Sequence, residues 1–217
     1  GSVTWADFNQ DEDQYFGTPF WRPDGSGLLV QWMPREQNEL RLYELNPVSG
    51  ATKAIYDEKY PTWIDWIEDL TWVRDGFLIV RNGDGWEQIY YYGNDGTPKG
   101  KLTAGNNWKT KILKVDEAKK LVYYQSCGEL STRTDLYRVR LDGTRQQRLT
   151  FGDYTHDKFL ISPDGGYVIT TYANVTTPPR MALIDTRNGK HRDIADSKGP
   201  KLDEANLKYK DMIWLTT

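Results

Sequence analysis

The chain is poor in the residues on which most protein chemistry depends. Its 217 residues include one cysteine and two histidines. A single cysteine, Cys127, closes no internal disulfide, so no oxidised framework holds the fold and the cysteine count leaves the compartment open. Long apolar runs are missing as well. The longest, such as Phe77-Leu-Ile-Val80, are strand-sized and far from the roughly 20 residues a membrane helix needs, so no membrane span is expected. Excess positive charge is also absent: the formal net charge is −3, which leaves no electrostatic footprint for nucleic acid. Apolar residues at helical spacing are hard to find.

Aromatic residues, by contrast, are plentiful, with 9 Trp, 14 Tyr and 6 Phe. They coexist with a low mean hydropathy of −0.74. Disordered chains are poor in aromatics, and ordinary α/β enzymes draw more on aliphatics. Many short, half-buried strands reconcile the two numbers, and the length suffices for a full core. Segments with period-two alternation, bounded by Gly, Asp, Asn and Pro, run along the whole chain and predict an all-β fold.

Two turn series repeat. The first comprises Pro23-Asp24-Gly25, Arg74-Asp75-Gly76, Asp116-Glu117-Ala118 and Pro163-Asp164-Gly165, whose middle residues step by 51, 42 and 47. The second comprises Asn46-Pro-Val-Ser-Gly50, Asn94-Asp95-Gly96, Asp142-Gly143 and Asp185-Thr-Arg-Asn-Gly189, stepping by 48, 48 and 43. Asp-Gly and Asn-Gly suit tight hairpins because they tolerate positive φ and bond their own backbone. Four strands per repeat of this length is the signature of a β-propeller blade. The expectation is a partial β-propeller of about four four-stranded antiparallel blades, near residues 16–57, 66–104, 107–150 and 155–196. Val3-Thr-Trp-Ala-Asp-Phe8 reads as the last strand of a preceding blade. Residues 201–217 read as a linker and a new first strand at Asp211-Met-Ile-Trp-Leu-Thr-Thr217, so a segment of a longer protein is expected.

Catalytic and ligand-binding motifs are scarce. No G-x-S-x-G occurs, and neither His156 nor His191 has a recognisable Ser or Cys partner, so no catalytic residue is assigned. The acidic run Asp11-Glu-Asp13 and the pair Asp57-Glu58 lack metal-ligand spacing, so no metal is expected. Asn82-Gly-Asp-Gly85 has neither a following helix nor a phosphate lysine, which leaves it a hairpin turn, and no cofactor is expected. Asn174-Val-Thr176 fits a glycosylation sequon by pattern alone. One segment departs from the repeat: Lys59-Tyr-Pro-Thr-Trp-Ile-Asp-Trp-Ile-Glu68, between the first two blades. Such connections lie on one face of a propeller, where ligands approach. Trp63 and Trp66 are therefore candidates for meeting a ligand, and the rival reading has the two tryptophans plug the groove between blades.

The ordered set Trp5-Ala-Asp-Phe8, Asp13-Gln-Tyr-Phe-Gly-Thr-Pro-Phe-Trp-Arg-Pro-Asp24, Gln31-Trp-Met33 and Gln37-Asn-Glu-Leu-Arg-Leu-Tyr-Glu44 resembles the later blades of a bacterial dipeptidyl peptidase IV. Leu121-Val-Tyr-Tyr-Gln-Ser126, Asp135-Leu-Tyr-Arg-Val-Arg-Leu141 and Ile161-Ser-Pro-Asp-Gly165 extend the likeness. The resemblance implies a serine peptidase of the prolyl oligopeptidase group. Such an enzyme has an N-terminal propeller of about eight blades and a C-terminal α/β-hydrolase domain that releases X-Pro or X-Ala dipeptides. It also implies that the segment with Trp63, Trp66 and Ile67 borders the substrate cavity, and that the location is extracytoplasmic, periplasmic or secreted. The family's adjacent glutamates, which hold the substrate amine, have no counterpart, because no Glu-Glu occurs. This chain is thus expected to be catalytically silent. Its expected partners are the earlier blades, the hydrolase domain and a peptide substrate, and half a ring is expected to self-associate. The alternative is a stand-alone propeller that binds peptides or glycans through exposed Trp faces.

Overall fold

A computed structural model describes residues 1–128, 130–201 and 205. Among these residues seventeen strands form four antiparallel sheets in strict chain order. The chain divides into two compact units, residues 1–102 and Thr103 onward, with two sheets in each.

In the first unit, one sheet contains β1 (Gln14–Phe16), β2 (Phe20–Trp21), β3 (Leu28–Pro34), β4 (Glu39–Leu45) and β5 (Thr52–Lys59). Both β1 and β2 pair with β3, so together they act as one first strand interrupted at 17–19. The second sheet is β6 (Leu70–Val73), β7 (Gly76–Arg81), β8 (Gln88–Gly93) and β9 (Pro98–Lys101). In the second unit, one sheet is β10 (Trp108–Asp116), β11 (Leu121–Cys127), β12 (Thr134–Arg140) and β13 (Gln147–Arg148). The other is β14 (Thr155–Ile161), β15 (Tyr167–Ala173), β16 (Arg180–Asp185) and β17 (His191–Asp196).

Alternation within strands builds the cores. Leu29 and Met33 of β3, Leu40 and Leu42 of β4, Ile55 of β5, and Phe77 and Ile79 of β7 are all buried in one cluster that joins the first two sheets. Each such side chain contributes roughly 1.5–3 kcal/mol by leaving water. Tyr123, Leu136, Leu149, Val168 and Ile184 do the same for the last two sheets. Stacked aromatics add to this packing, with Phe77 on Tyr92 at 5.6 Å and Tyr124 on Tyr137 at 5.4 Å.

The turns follow the repeat with one substitution. Gly25 (φ 73°) and Gly165 (φ 69°) take the left-handed position of their hairpins, and in the third sheet Lys120 (φ 55°) takes the corresponding one. Residues 3–8 form no strand. The Asp7 N–H donates to the Gly50 carbonyl at 3.0 Å, and Phe8 packs on Phe16 and Tyr43 at 4.8 and 5.2 Å. Aromatic packing and the bonds of Asp7 to Gly50 and Thr52, not a ladder, tie this segment to the first sheet. The strand expected at 211–217 lies outside the described residues.

Candidate functional site

Residues 60–69 connect β5 to β6 without regular structure. Loop backbone near a core must find hydrogen-bond partners, and here the β3–β4 hairpin supplies most of them. The Tyr60 N–H donates to the Asn38 carbonyl and the Ile64 N–H to the Gln37 carbonyl, both at 2.9 Å. Gln31, fully buried on β3, uses its side-chain amide as a substitute strand. Its Oε1 accepts from the Ile67 N–H at 2.7 Å, and its Nε2 donates to the Ile67 and Thr18 carbonyls at 3.1 and 3.0 Å. From the second sheet, Arg81 Nη1 reaches the Trp66 carbonyl at 3.5 Å.

Arg81 itself is held by Glu58, with Nε to Oε2 at 2.6 Å and both side chains mostly buried. The Tyr56 hydroxyl donates to the same Glu58 oxygen at 2.8 Å. Burial first, and then the Glu58 charge, pushes the Tyr56 hydroxyl far above the ordinary phenol range, so it stays protonated and remains a donor.

The structure separates the three candidate residues. Ile64 and Ile67 are buried in the apolar cluster of the first unit. Ile67 therefore offers no surface to a ligand: its side chain is 2% exposed and both its backbone polar groups are used. Trp66 packs against the same cluster, and its ring lies over Gly17 so closely that a methyl there would sit 2.6 Å from Cε3. This ring fills the space between the sheets at the interruption of the first strand. Trp63 alone stands out from the surface, 58% exposed, with its Nε1–H donating to Gln37 Oε1 at 2.6 Å. Sequence reasoning missed Gln31, Gln37 and Arg81. Gln31 and Gln37 stand in segments that carry the resemblance, yet a polar side chain inside a strand pattern carries no local sign of its distant partner, and the same holds for Arg81.

The two histidines belong to the second unit. His156 is fully buried, and its Nε2 sits 2.9 Å from the Phe151 carbonyl, which can only accept, so the proton is on Nε2. Its Nδ1 has no partner among the described residues. His191 stacks on Phe151 at 3.6 Å. With Tyr154 and Tyr172 these rings line a shallow cavity of about 470 Å³. Among the described residues no serine or cysteine is bonded to His156, so none is paired with it as nucleophile and base. Among the described residues no group of three or more His, Cys, Asp or Glu is placed to hold a metal, and no helix is long and apolar enough to cross a membrane.

Known proteins share this fold. A crystal structure of Porphyromonas gingivalis dipeptidyl peptidase 4 superposes with a TM-score of 0.77 at 29% identity, covering 93% of this chain and 28% of that one. A putative dipeptidyl aminopeptidase IV from Bacteroides ovatus matches the fold with a TM-score of 0.75 at 20% identity, covering 90% and 31%. Among curated proteins, dipeptidyl peptidase 4 of Trichophyton equinum is 26% identical over 83% of this chain. A probable dipeptidyl-aminopeptidase B of Aspergillus clavatus is 24% identical over 85%. The chain spans 24% and 22% of these two relatives' lengths. Residues 1–179 match the family model for the dipeptidyl peptidase IV (DPP IV) N-terminal region, and the chain belongs to that family.

Proposed function

We propose that the chain is a non-catalytic part of the N-terminal propeller of a DPP IV-like serine exopeptidase, where it walls the substrate cavity. The family match over residues 1–179 carries this reading. The exposed indole of Trp63, on a connection held by backbone bonds at Tyr60, Ile64 and Ile67, supports a place for that loop on the cavity side. The parent enzyme would release X-Pro and X-Ala dipeptides, with nucleophile and amine anchor supplied by segments outside these residues. A propeller wall contributes by size exclusion and by apolar contact with the peptide, which lowers KM without entering the bond-breaking step. The earlier blades and a hydrolase domain are the proposed partners, and an extracytoplasmic location accompanies them.

The test is the Trp63→Ala variant of the full-length parent, assayed on peptides that extend beyond the scissile bond. The expected result is a KM raised several-fold with kcat within about twofold, as for loss of uniform binding. An unchanged KM would remove Trp63 from the cavity. A parent sequence without G-x-S-x-G and downstream Asp and His would overturn the peptidase reading itself.

A further inference from the structure

We propose that Gln37 is a positioning residue that fixes the Trp63 indole with its polar edge inward, so that this site presents a purely apolar face to the bound peptide. The proposal deepens the cavity reading above and rests on it.

Three observations carry it. The first is that Trp63 is mostly exposed yet its one polar atom is already used, in a 2.6 Å bond to Gln37 Oε1. Exposed tryptophans ordinarily leave the N–H to water and bury the ring; here the order is reversed. The second is that Gln37 adopts a left-handed conformation, φ 54°, between β3 and β4. That region suits Gly or Asn and costs other residues free energy, so the side chain present is tied to something the turn alone does not need. The third is that the same residue's carbonyl accepts from the Ile64 N–H at 2.9 Å, while Gln31, lower on the hairpin, clamps Ile67 through both its backbone groups. One hairpin thus holds the loop on both sides of Trp66 and leaves Trp63 little freedom to turn.

The consequence is a specificity statement. With its N–H consumed, the indole cannot donate to a peptide carbonyl or a sugar hydroxyl, and its exposed surface recognises C–H groups. The fitting ligand part is an apolar side chain or a saturated ring of a peptide.

The test uses two readouts. In this 217-residue chain, the Trp63 indole N–H resonance is identified by its loss in Trp63→Phe. Its exchange with water is then measured in Gln37→Ala, Gln37→Gly and Gln37→Glu. Both Gln37→Ala and Gln37→Gly should raise exchange about fivefold or more, the loss of one net hydrogen bond, although Gly suits the turn better. Gln37→Glu keeps an acceptor and should retain the protection. Unchanged exchange in both Ala and Gly variants overturns the proposal. In the full-length parent, Gln37→Ala should raise KM as Trp63→Ala does, with rescue by Gln37→Glu. A raised KM for Trp63→Ala with none for Gln37→Ala overturns the positioning role and leaves the cavity reading standing. An unchanged KM for Trp63→Ala overturns the cavity reading, and with it the specificity statement, whatever the exchange data give.

Discussion

Single residues show how much each unit depends on close approaches. Gly17 sits under the Trp66 ring, where a Cβ would come within 3.0 Å of three ring atoms. Gly17→Ala must therefore push a half-buried indole out of the inter-sheet space, and urea unfolding should show a loss of about 1–3 kcal/mol. Arg81 and Glu58 form the buried ion pair of this unit, further bonded by Tyr56. Removing one partner leaves a buried charge, so Arg81→Met should cost about 3–5 kcal/mol, and the double change with Glu58→Gln should cost clearly less. An additive double mutant would contradict this account of the pair. In the second unit, His156 plays a comparable part. Burial holds its pKa below the ordinary imidazole value, and the neighbouring charges work in both directions: Asp135 raises it, whereas Arg148 and His191 lower it. The unfolded chain then takes up a proton near pH 6.5 that the folded chain refuses. Stability is unaffected above that pH and is lost as the pH falls through it toward the folded pKa. The urea midpoint should fall between pH 7 and pH 5, and by less in His156→Gln, which keeps a donor for the Phe151 carbonyl.

At the scale of elements, the hairpins were the most legible feature, because turn chemistry is local. Asp24 accepts from the Ser26 N–H at 3.0 Å and Asp142 from the Thr144 N–H at 2.9 Å, so the side chain that marks the turn in the sequence also makes its bond. Strand alternation was legible for the same reason: β15 and β16 bury alternate residues as their patterns require. The irregular segments were not legible. Residues 3–8 read as a strand because Val, Thr, Trp and Phe favour one, yet the segment is held by the Phe8 ring contacts and pairs with no strand. Of the three candidates in the β5–β6 connection, spacing could not say which faced outward, because the decision belongs to Gln31 and Gln37, both more than 20 residues away in sequence. The third repeat lacks the turn glycine, and its structural consequence is Lys120 at φ 55°. Lys120→Gly should relieve that conformation and raise stability by about 0.5–1 kcal/mol in the urea midpoint. A loss instead would mean that the Lys120 side chain contributes more than its backbone costs.

At the scale of the molecule, the four repeats explain the composition. Their aromatics are spread over the sheets as packing between layers, which lets a polar chain hold a core in each unit. A propeller of the proposed parent has about eight blades, so four of them leave inter-blade faces without their neighbours. The chain alone is expected to self-associate, and light scattering that shows a stable monomer would contradict this. Activity is the more direct test of the central claim that this segment walls a cavity and performs no chemistry. A chromogenic X-Pro substrate should be given in parallel to this chain and to the full-length parent. The account predicts that the parent cleaves it and that this chain leaves it intact at any concentration. Turnover by this chain, or a parent that does not cleave after proline, would contradict it.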